Sequence, residues 1–263
     1  GSGIFPSQLG NPDLTWENRE ENNIGLDLGL FKNRVTLTVD AYKRVNKDLL
    51  LSRPLYATTG FTTIQQNLGK MENKGLEILL AVTPFDGKFK WTSTFNIAFQ
   101  ENKVVELYDG LQFLPSDASI RVGYPIGSFF TSEWAGVNPA TGRGMWYDKN
   151  GNLTYNPTAD DRKIIGNIYP KQFGGWNNSF SYKGFSLDAF FQYEYGRVRA
   201  DGQYQQMMRM AGATVNTLEY GYLTRWQNPG DIVPTPRAFN GLADYNSAGW
   251  GSGSRYIFKT DYI

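Results

Sequence analysis

From Asn23 to Leu30 the chain alternates strictly: Ile24, Leu26, Leu28 and Leu30 are apolar, with Gly25, Asp27 and Gly29 between them. Strand side chains point alternately to opposite faces, so a period of two makes one face apolar and leaves the other polar. After the short connection Lys32-Asn33, Val35, Leu37, Val39 and Ala41 alternate with Thr36, Thr38, Asp40 and Tyr42. Two such runs with so short a link predict a β-hairpin with one apolar face. A second hairpin sets Leu76, Ile78, Leu80 and Val82 against Trp91, Phe95, Ile97 and Phe99 across Pro84-Phe85-Asp86-Gly87-Lys88. A third sets Trp176–Tyr182 against Phe185, Leu187, Ala189, Phe191 and Tyr193 across Lys183-Gly184. The fold class expected is all-β and antiparallel.

The connections are long. Lys43–Lys74, Glu101–Gln172 and Gly196–Ser254 separate the hairpins by about 32, 72 and 59 residues. A compact soluble domain rarely carries such loops. A transmembrane β-barrel does, with short periplasmic turns on one side, long extracellular loops on the other, and strands that alternate apolar-out and polar-in. Phe31, Phe85, Phe89, Trp91, Tyr182 and Phe185 flank the three tight turns, where an interfacial aromatic girdle belongs. A soluble sandwich with aromatics capping its core fits the same pattern, so both architectures remain open on the residues alone. The run Arg255–Ile263 is strand-like and makes a seventh strand. An odd, open set leaves edges unpaired, so the chain is expected to be a piece of something longer. No signal peptide is visible at Gly1-Ser2-Gly3.

Composition removes whole classes of chemistry. With His 0 and Cys 0, the chain holds no Ser-His-Asp triad, no Cys nucleophile and no His/Cys zinc site. A net charge of +1 argues against binding nucleic acid by bulk charge. No apolar run is long enough for a transmembrane helix.

Asn11-Pro-Asp-Leu-Thr-Trp-Glu17 and Asn23-Ile-Gly-Leu-Asp-Leu-Gly-Leu-Phe-Lys-Asn-Arg34 resemble the SusC/RagA family of TonB-dependent outer-membrane transporters. So do Lys47-Asp-Leu-Leu50, Gln66-Asn-Leu-Gly69, Met71-Glu-Asn-Lys-Gly-Leu-Glu77, Phe95-Asn-Ile-Ala-Phe99, Val122-Gly-Tyr-Pro-Ile-Gly-Ser-Phe129, Gly136-Val-Asn-Pro-Ala-Thr-Gly142 and Gly174-Gly-Trp-Asn-Asn-Ser-Phe180. These matches are collinear and cover nearly the whole chain. The resemblance implies a segment of a 22-stranded barrel plugged by an N-terminal domain and paired with a SusD-like surface lipoprotein. It also implies import of glycan or peptide cargo, energised through TonB, in the outer membrane of a Gram-negative bacterium of Bacteroidetes type. Residues 1–263 would then be a C-terminal part of the barrel, without the plug, the TonB-contacting segment or the last strands. Its partners would be the lipoprotein, TonB through the missing N-terminal part, outer-membrane lipid and cargo. No enzyme activity, cofactor or metal is expected.

Two residue sets are candidates for function. Trp134, Trp146, Tyr147 and Tyr155 fall in the longest connection beside Arg121 and Arg143, and ring faces stack on sugars or apolar side chains. A long loop that folds on itself also needs such rings for its own core. Asp27, Asp40, Glu77, Asn96, Asp188 and Glu194 sit at polar strand positions and are expected to line the lumen, where polarity is required in any water-filled barrel. Asp148-Lys-Asn-Gly-Asn152 lacks the glycine and the glutamate of a calcium loop, with Leu153 and Ala159 in their places, so Asn150-Gly151 is expected to be a type I′ hairpin turn. Asp160-Asp161 with Glu133 and Asp148 have no spacing that defines a carboxylate pair for glycoside cleavage. Gly249-Trp-Gly-Ser-Gly253 lacks the Lys-Ser/Thr of a phosphate loop and is expected to be flexible. Beside transport of glycans or peptides stand two alternatives: a receptor for another cargo such as a siderophore, and a soluble all-β module that binds or cleaves carbohydrate.

Overall fold

The computed structural model describes residues 9–208, 217–238 and 253–263. The chain divides into two compact units, one of Gly1–Ser128, Tyr169–Arg197 and Thr260–Ile263, the other of Phe129–Ile168 and Val198–Lys259. The Gly249–Gly253 loop lies, but for its last residue, outside the described residues.

The first unit opens with four long strands, β1 (Asn18–Leu30), β2 (Val35–Pro54), β3 (Thr63–Asp86) and β4 (Phe89–Glu106), then a small hairpin of β5 (Phe113–Leu114) and β6 (Asp117–Arg121). The chain continues through β7 (Ser128–Ser132), β8 (Trp134–Val137), β9 (Gly144–Tyr147), β10 (Leu153–Thr154) and β11 (Arg162–Asn167). It returns to the first unit as β12 (Gln172–Tyr182) and β13 (Phe185–Tyr195). One six-stranded sheet results, in the order β1-β2-β3-β4-β12-β13, with every pairing antiparallel. All three hairpins expected from the alternation are therefore present.

Register turns the alternation into two faces. Leu28, Leu37, Leu80, Phe95, Trp176 and Phe191 are successive cross-strand partners, forming one apolar row across six strands. One row over, Leu26, Val39, Ile78 and Ile97 do the same, followed by Gly174 and Tyr193. A one-residue slip anywhere would send these side chains to the polar face, which is why the pattern fixes the register. Ser93 and Asn178 interrupt the middle of the apolar face, and they are cross-strand partners. Trp176 Nε1 donates to Ser93 Oγ at 2.8 Å, and Trp91 Nε1 donates to Asn178 Oδ1 at 3.1 Å. Asn178 is only 4% exposed, so these two polar side chains are partnered where water cannot supply a bond, whereas the Tyr193 hydroxyl on the same face is buried without a partner.

The turn ends carry the aromatics. Phe85, Phe89, Trp91 and Phe180 form a chain of ring contacts 5.8–6.4 Å apart, while Phe31 and Phe185 stand exposed beside their own turns. Lys32 and Asn33 have φ of 57° and 62°, and Lys183 and Gly184 have 47° and 84°. The second connection has positive φ at two successive residues, the geometry that matches strand twist, while the first has it at three, since Phe31 is also at φ 53°. Counting from these ends, β12 and β13 are each 11 residues long, the length needed to cross a bilayer when tilted.

Several expectations need correction. The connection Lys43–Lys74 is mostly strand: β2 runs to Pro54 and β3 starts at Thr63, leaving residues 55–62 as the loop. The alternation weakens there because bulges interrupt the ladder between Asn46 and Leu50, with Asp48 at φ 58°. The second turn is tighter than Pro84–Lys88, since β3 extends to Asp86 after an irregularity between Val82 and Phe85. Arg255–Ile263 is not one continuous strand. A single 3-10 turn occupies Ser254–Tyr256, β15 is Ile257–Lys259, and Tyr262 then bridges to Glu194 of β13.

In the second unit β8, β9 and β10 form a three-stranded sheet, β7 pairs with β11, and β14 (Val198–Ala200) pairs with β15. Two short helices, α1 (Gly202–Met207) and α2 (Glu219–Leu223), lie between these last two strands in sequence.

Candidate functional site

Every lumen candidate falls on the sheet face opposite the apolar rows. Asp27, Thr38, Leu79, Asn96, Gly175 and Gln192 form one cross-strand row, and Gly25, Asp40, Glu77, Ala98, Phe173 and Glu194 form the next. Asp188 shares this face, opposite Ser179 and one residue pair nearer the third turn than Phe190. Thr38 Oγ1 donates to Asp27 Oδ1 at 2.6 Å. Gly25 leaves room for the Asp40 carboxylate, whose Oδ1 would lie 2.7 Å from any Cβ placed there. Glu194 accepts from Tyr262 Oη at 3.0 Å and pairs with Arg197 at 2.6 Å, fastening the segment around Tyr262 to β13. The face is not uniformly polar, since Leu79, Phe173 and Phe190 are exposed among these groups.

Further from the turns the same face carries a charged group that the sequence reading missed. Arg44 Nε donates to Glu21 Oε1 at 2.8 Å, Arg19 Nη2 donates to Glu21 Oε2 at 2.6 Å, and the Arg44 guanidinium lies 4.2 Å from the Tyr42 ring centroid. The Tyr42 ring in turn covers Gly75, where any side chain would collide with it. The signal was available: Glu21 and Arg44 become partners when the first hairpin's register is carried past Asn23 and Tyr42.

The aromatic loop set does not converge on one surface. Trp146 is 2% exposed and meets Trp134 edge-on at 5.4 Å between centroids. Arg255 lies 5.1 Å from the Trp134 ring and 5.1 Å from the Tyr256 ring, and its Nη2 donates to the Pro234 carbonyl at 3.1 Å. Burial there pushes the Arg255 guanidinium below its ordinary value. Trp146 thus belongs to the core of the second unit and offers no open ring face. Tyr155 is covered by Arg143 at 4.4 Å and receives a hydrogen bond from Asn138 Nδ2 at 2.5 Å. Tyr147 keeps 36% exposure at the base of the β9–β10 hairpin. Arg121 lies in the other unit, over the Phe113 ring at 4.9 Å. Arg255 and Tyr256, which complete this core, were missed because they lie more than a hundred residues along the chain from Trp134 with no local pattern linking them.

The β9–β10 hairpin exists, but its turn is not type I′. Gly151 has φ 84° while Asn150 has no positive φ, and a type I′ turn needs both. Asp148 organises the loop instead, its Oδ1 accepting from Asn150 N and Asn152 N at 2.8 Å each. Those backbone donors, Asn152 first, hold the Asp148 carboxyl below its ordinary range. Asp161 is held down in the same way by Thr158 N, Thr158 Oγ1 and Lys149 N at 2.6–2.9 Å. Glu133 is paired with Lys163. Carboxylates occupied by N–H donors and a lysine are loop braces, poorly placed to coordinate a cation or to exchange protons with a substrate.

An antiparallel sheet with an apolar face across six strands and tight turns joining its hairpins is a segment of a large β-barrel. The chain belongs to the TonB dependent receptor-like β-barrel family, whose model matches residues 1–222. It is 30% identical over 313 aligned positions to TonB-dependent receptor P39 of Formosa agariphila, covering 100% of this chain and 30% of that protein. It is 29% identical to TonB-dependent receptor SusC of Bacteroides thetaiotaomicron, covering 70% of this chain and 21% of that one. One chain of the RagAB peptide transporter superposes with a TM-score of 0.84 at 28% identity, covering 98% of this chain and 29% of that chain. The chain therefore spans less than a third of the length of these relatives. The SusC/RagA-type fold expected from the sequence is established, and the soluble all-β alternative falls.

Proposed function

We propose that residues 1–263 form a C-terminal part of an outer-membrane transporter that imports glycans or oligopeptides. Cargo would pass together with a SusD-like surface lipoprotein, on energy delivered by TonB to parts of the protein outside this chain. The observation that carries the reading is the two-faced sheet: an apolar face wide enough for lipid, backed by a polar face suited to a wet interior. Likeness to the RagAB peptide transporter over nearly the whole chain supports peptides among the cargo classes. The likeness to TonB-dependent receptor SusC supports the same architecture.

Within this reading the second unit is the surface that meets lipoprotein or cargo, with Tyr147 and the Asp148–Asn152 turn at an accessible hairpin end. The test is made in the full-length protein. Replacing Asp148–Asn152 by a Gly-Ser link should weaken uptake of labelled oligopeptides or glycans while the barrel still inserts, and unchanged uptake would make this hairpin purely structural.

A further inference from the structure

The apolar face ends abruptly on the side away from the turns. Ile24, Ala41, Leu76 and Phe99 form its last apolar row, and the next row on the same face is Asn22, Lys43, Lys74 and Glu101. Lys43 and Lys74 are direct cross-strand partners. Like charges directly opposite each other on an antiparallel pair are unfavourable. Their placement at the edge of an apolar band therefore calls for an anion. The nearby carboxylates offset the repulsion only partly: Lys43 reaches Glu72 at 2.9 Å and Lys74 reaches Glu101 at 3.0 Å. All four side chains are solvent-accessible, and exposed pairs of this kind contribute little and exchange partners readily. The row itself carries two lysines against one glutamate, Glu101, while Lys103 stands in the next row with Glu20 and Glu72.

These same residues line an open groove of about 570 Å³ whose floor is the four-residue apolar row. Ala41 makes the depression, as the small residue between Ile24 and Leu76. A groove with an apolar floor and a cationic lip matches an amphiphile with acyl chains and an anionic head. We infer that it binds a bilayer lipid with an anionic phosphate headgroup. The phosphate bridges Lys43 and Lys74, and the acyl chains lie over Ile24, Ala41, Leu76 and Phe99. This inference rests on the membrane-spanning reading above and adds a specific lipid contact to it.

The test uses the full-length protein reconstituted into bilayers, then extracted mildly and weighed by native mass spectrometry with dimyristoyl phosphatidylglycerol or phosphatidylcholine. Phosphatidylglycerol should be retained in preference. Lys43→Gln with Lys74→Gln should cut that retention roughly 30-fold, from ~1 kcal/mol per lysine near an anionic lipid at 1.4 kcal/mol per tenfold. Lys183→Gln, at the opposite end of the sheet, should leave it unchanged. Ala41→Phe should lower it too, by filling the floor without altering charge. Equal retention of both lipids, no effect of the paired lysine change, or displacement by millimolar inorganic phosphate alone would overturn the lipid site while leaving the transporter reading intact. Failure of the wild-type protein to enter bilayers would overturn both.

Discussion

Phe95→Arg against Asn96→Arg separates the two faces of the sheet by one residue. Phe95 lies near the middle of the Phe89–Phe99 run, in the row Leu28, Leu37, Leu80, Phe95, Trp176, Phe191. Arg on a lipid face at the midplane costs roughly 2–4 kcal/mol. Losing the cross-strand contacts with Leu80 and Trp176 adds up to about 1 kcal/mol each. The total expected is therefore about 2–6 kcal/mol. Asn96 lies exposed on the other face beside Gly175, with Glu77 its diagonal neighbour on β3, so a cation there meets water and a carboxylate. Asn96→Arg should cost under about 1 kcal/mol, the usual range for a solvated site. The measurement is urea unfolding of the full-length barrel in vesicles, with Phe95→Leu as the control at less than about 1.5 kcal/mol. Because a soluble core would also resist Phe95→Arg, fluorescent probes at 95 and 96 are compared against a quencher confined to acyl chains. Quenching at 95 alone is expected. Equal quenching at both positions or at neither, or equal unfolding costs for the two arginines, would refute the assignment of faces.

Trp91→Phe removes the donor to buried Asn178 and should cost about 1–3 kcal/mol in the same assay, the penalty of an unsatisfied buried group. Trp146→Ala should cost ~3–5 kcal/mol of local stability, seen as faster hydrogen exchange across β8 and β9, whereas Tyr147→Ala should leave exchange unchanged. Asp148 and Asp161 have depressed folded-state pKa values. Their stabilising effect is therefore present above the ordinary aspartate value of 3.8 and disappears as pH falls through the lower folded values. Protection of the Asn150 and Asn152 amides, taken relative to the intrinsic exchange rate at each pH, should fall in that acid range, and Asp148→Asn should remove most of the dependence.

The sheet was legible because its constraint is local. A period of two, repeated on both sides of Lys32-Asn33 and Lys183-Gly184, fixes strand, turn and register together, and every lumen candidate followed from that parity. Strand length was not legible. Beyond Tyr42 the residues Lys43, Arg44, Asn46 and Lys47 look like loop, yet they are held in the ladder by cross-strand partners such as Glu72, Glu21 and Glu20. Hydrophobic alternation reports burial by lipid, so it goes silent where both faces of a strand are wet. The turn at Asn150-Gly151 failed for a different reason. The dipeptide favours type I′, but the Asp148 side chain offers its backbone donors a better set of acceptors. The aromatic loop residues carried too little information to tell core from surface. A buried Trp146 and a half-exposed Tyr147 are adjacent in sequence, and the packing of Trp134 against the former, with Arg255 over the Trp134 ring, distinguishes them.

The bulge at Asn46–Leu50 acquires a mechanical meaning from the length of the strands around it. From Ala41 to Pro54, β2 continues well past the apolar band, roughly 40 Å of ladder at about 3.3 Å per residue. Such a wall is a stiff beam, and a load applied at residues 55–62 travels down it as bending and shear through aligned hydrogen bonds. The beam has one weak joint. At the bulge Asp48 leaves the regular ladder, and its carbonyl is tied by Asn67 Nδ2 at 2.8 Å, the same amide that also bonds the carbonyl of Thr15. Deflection concentrates at that fulcrum, so the tip can swing while the rows below it stay in register.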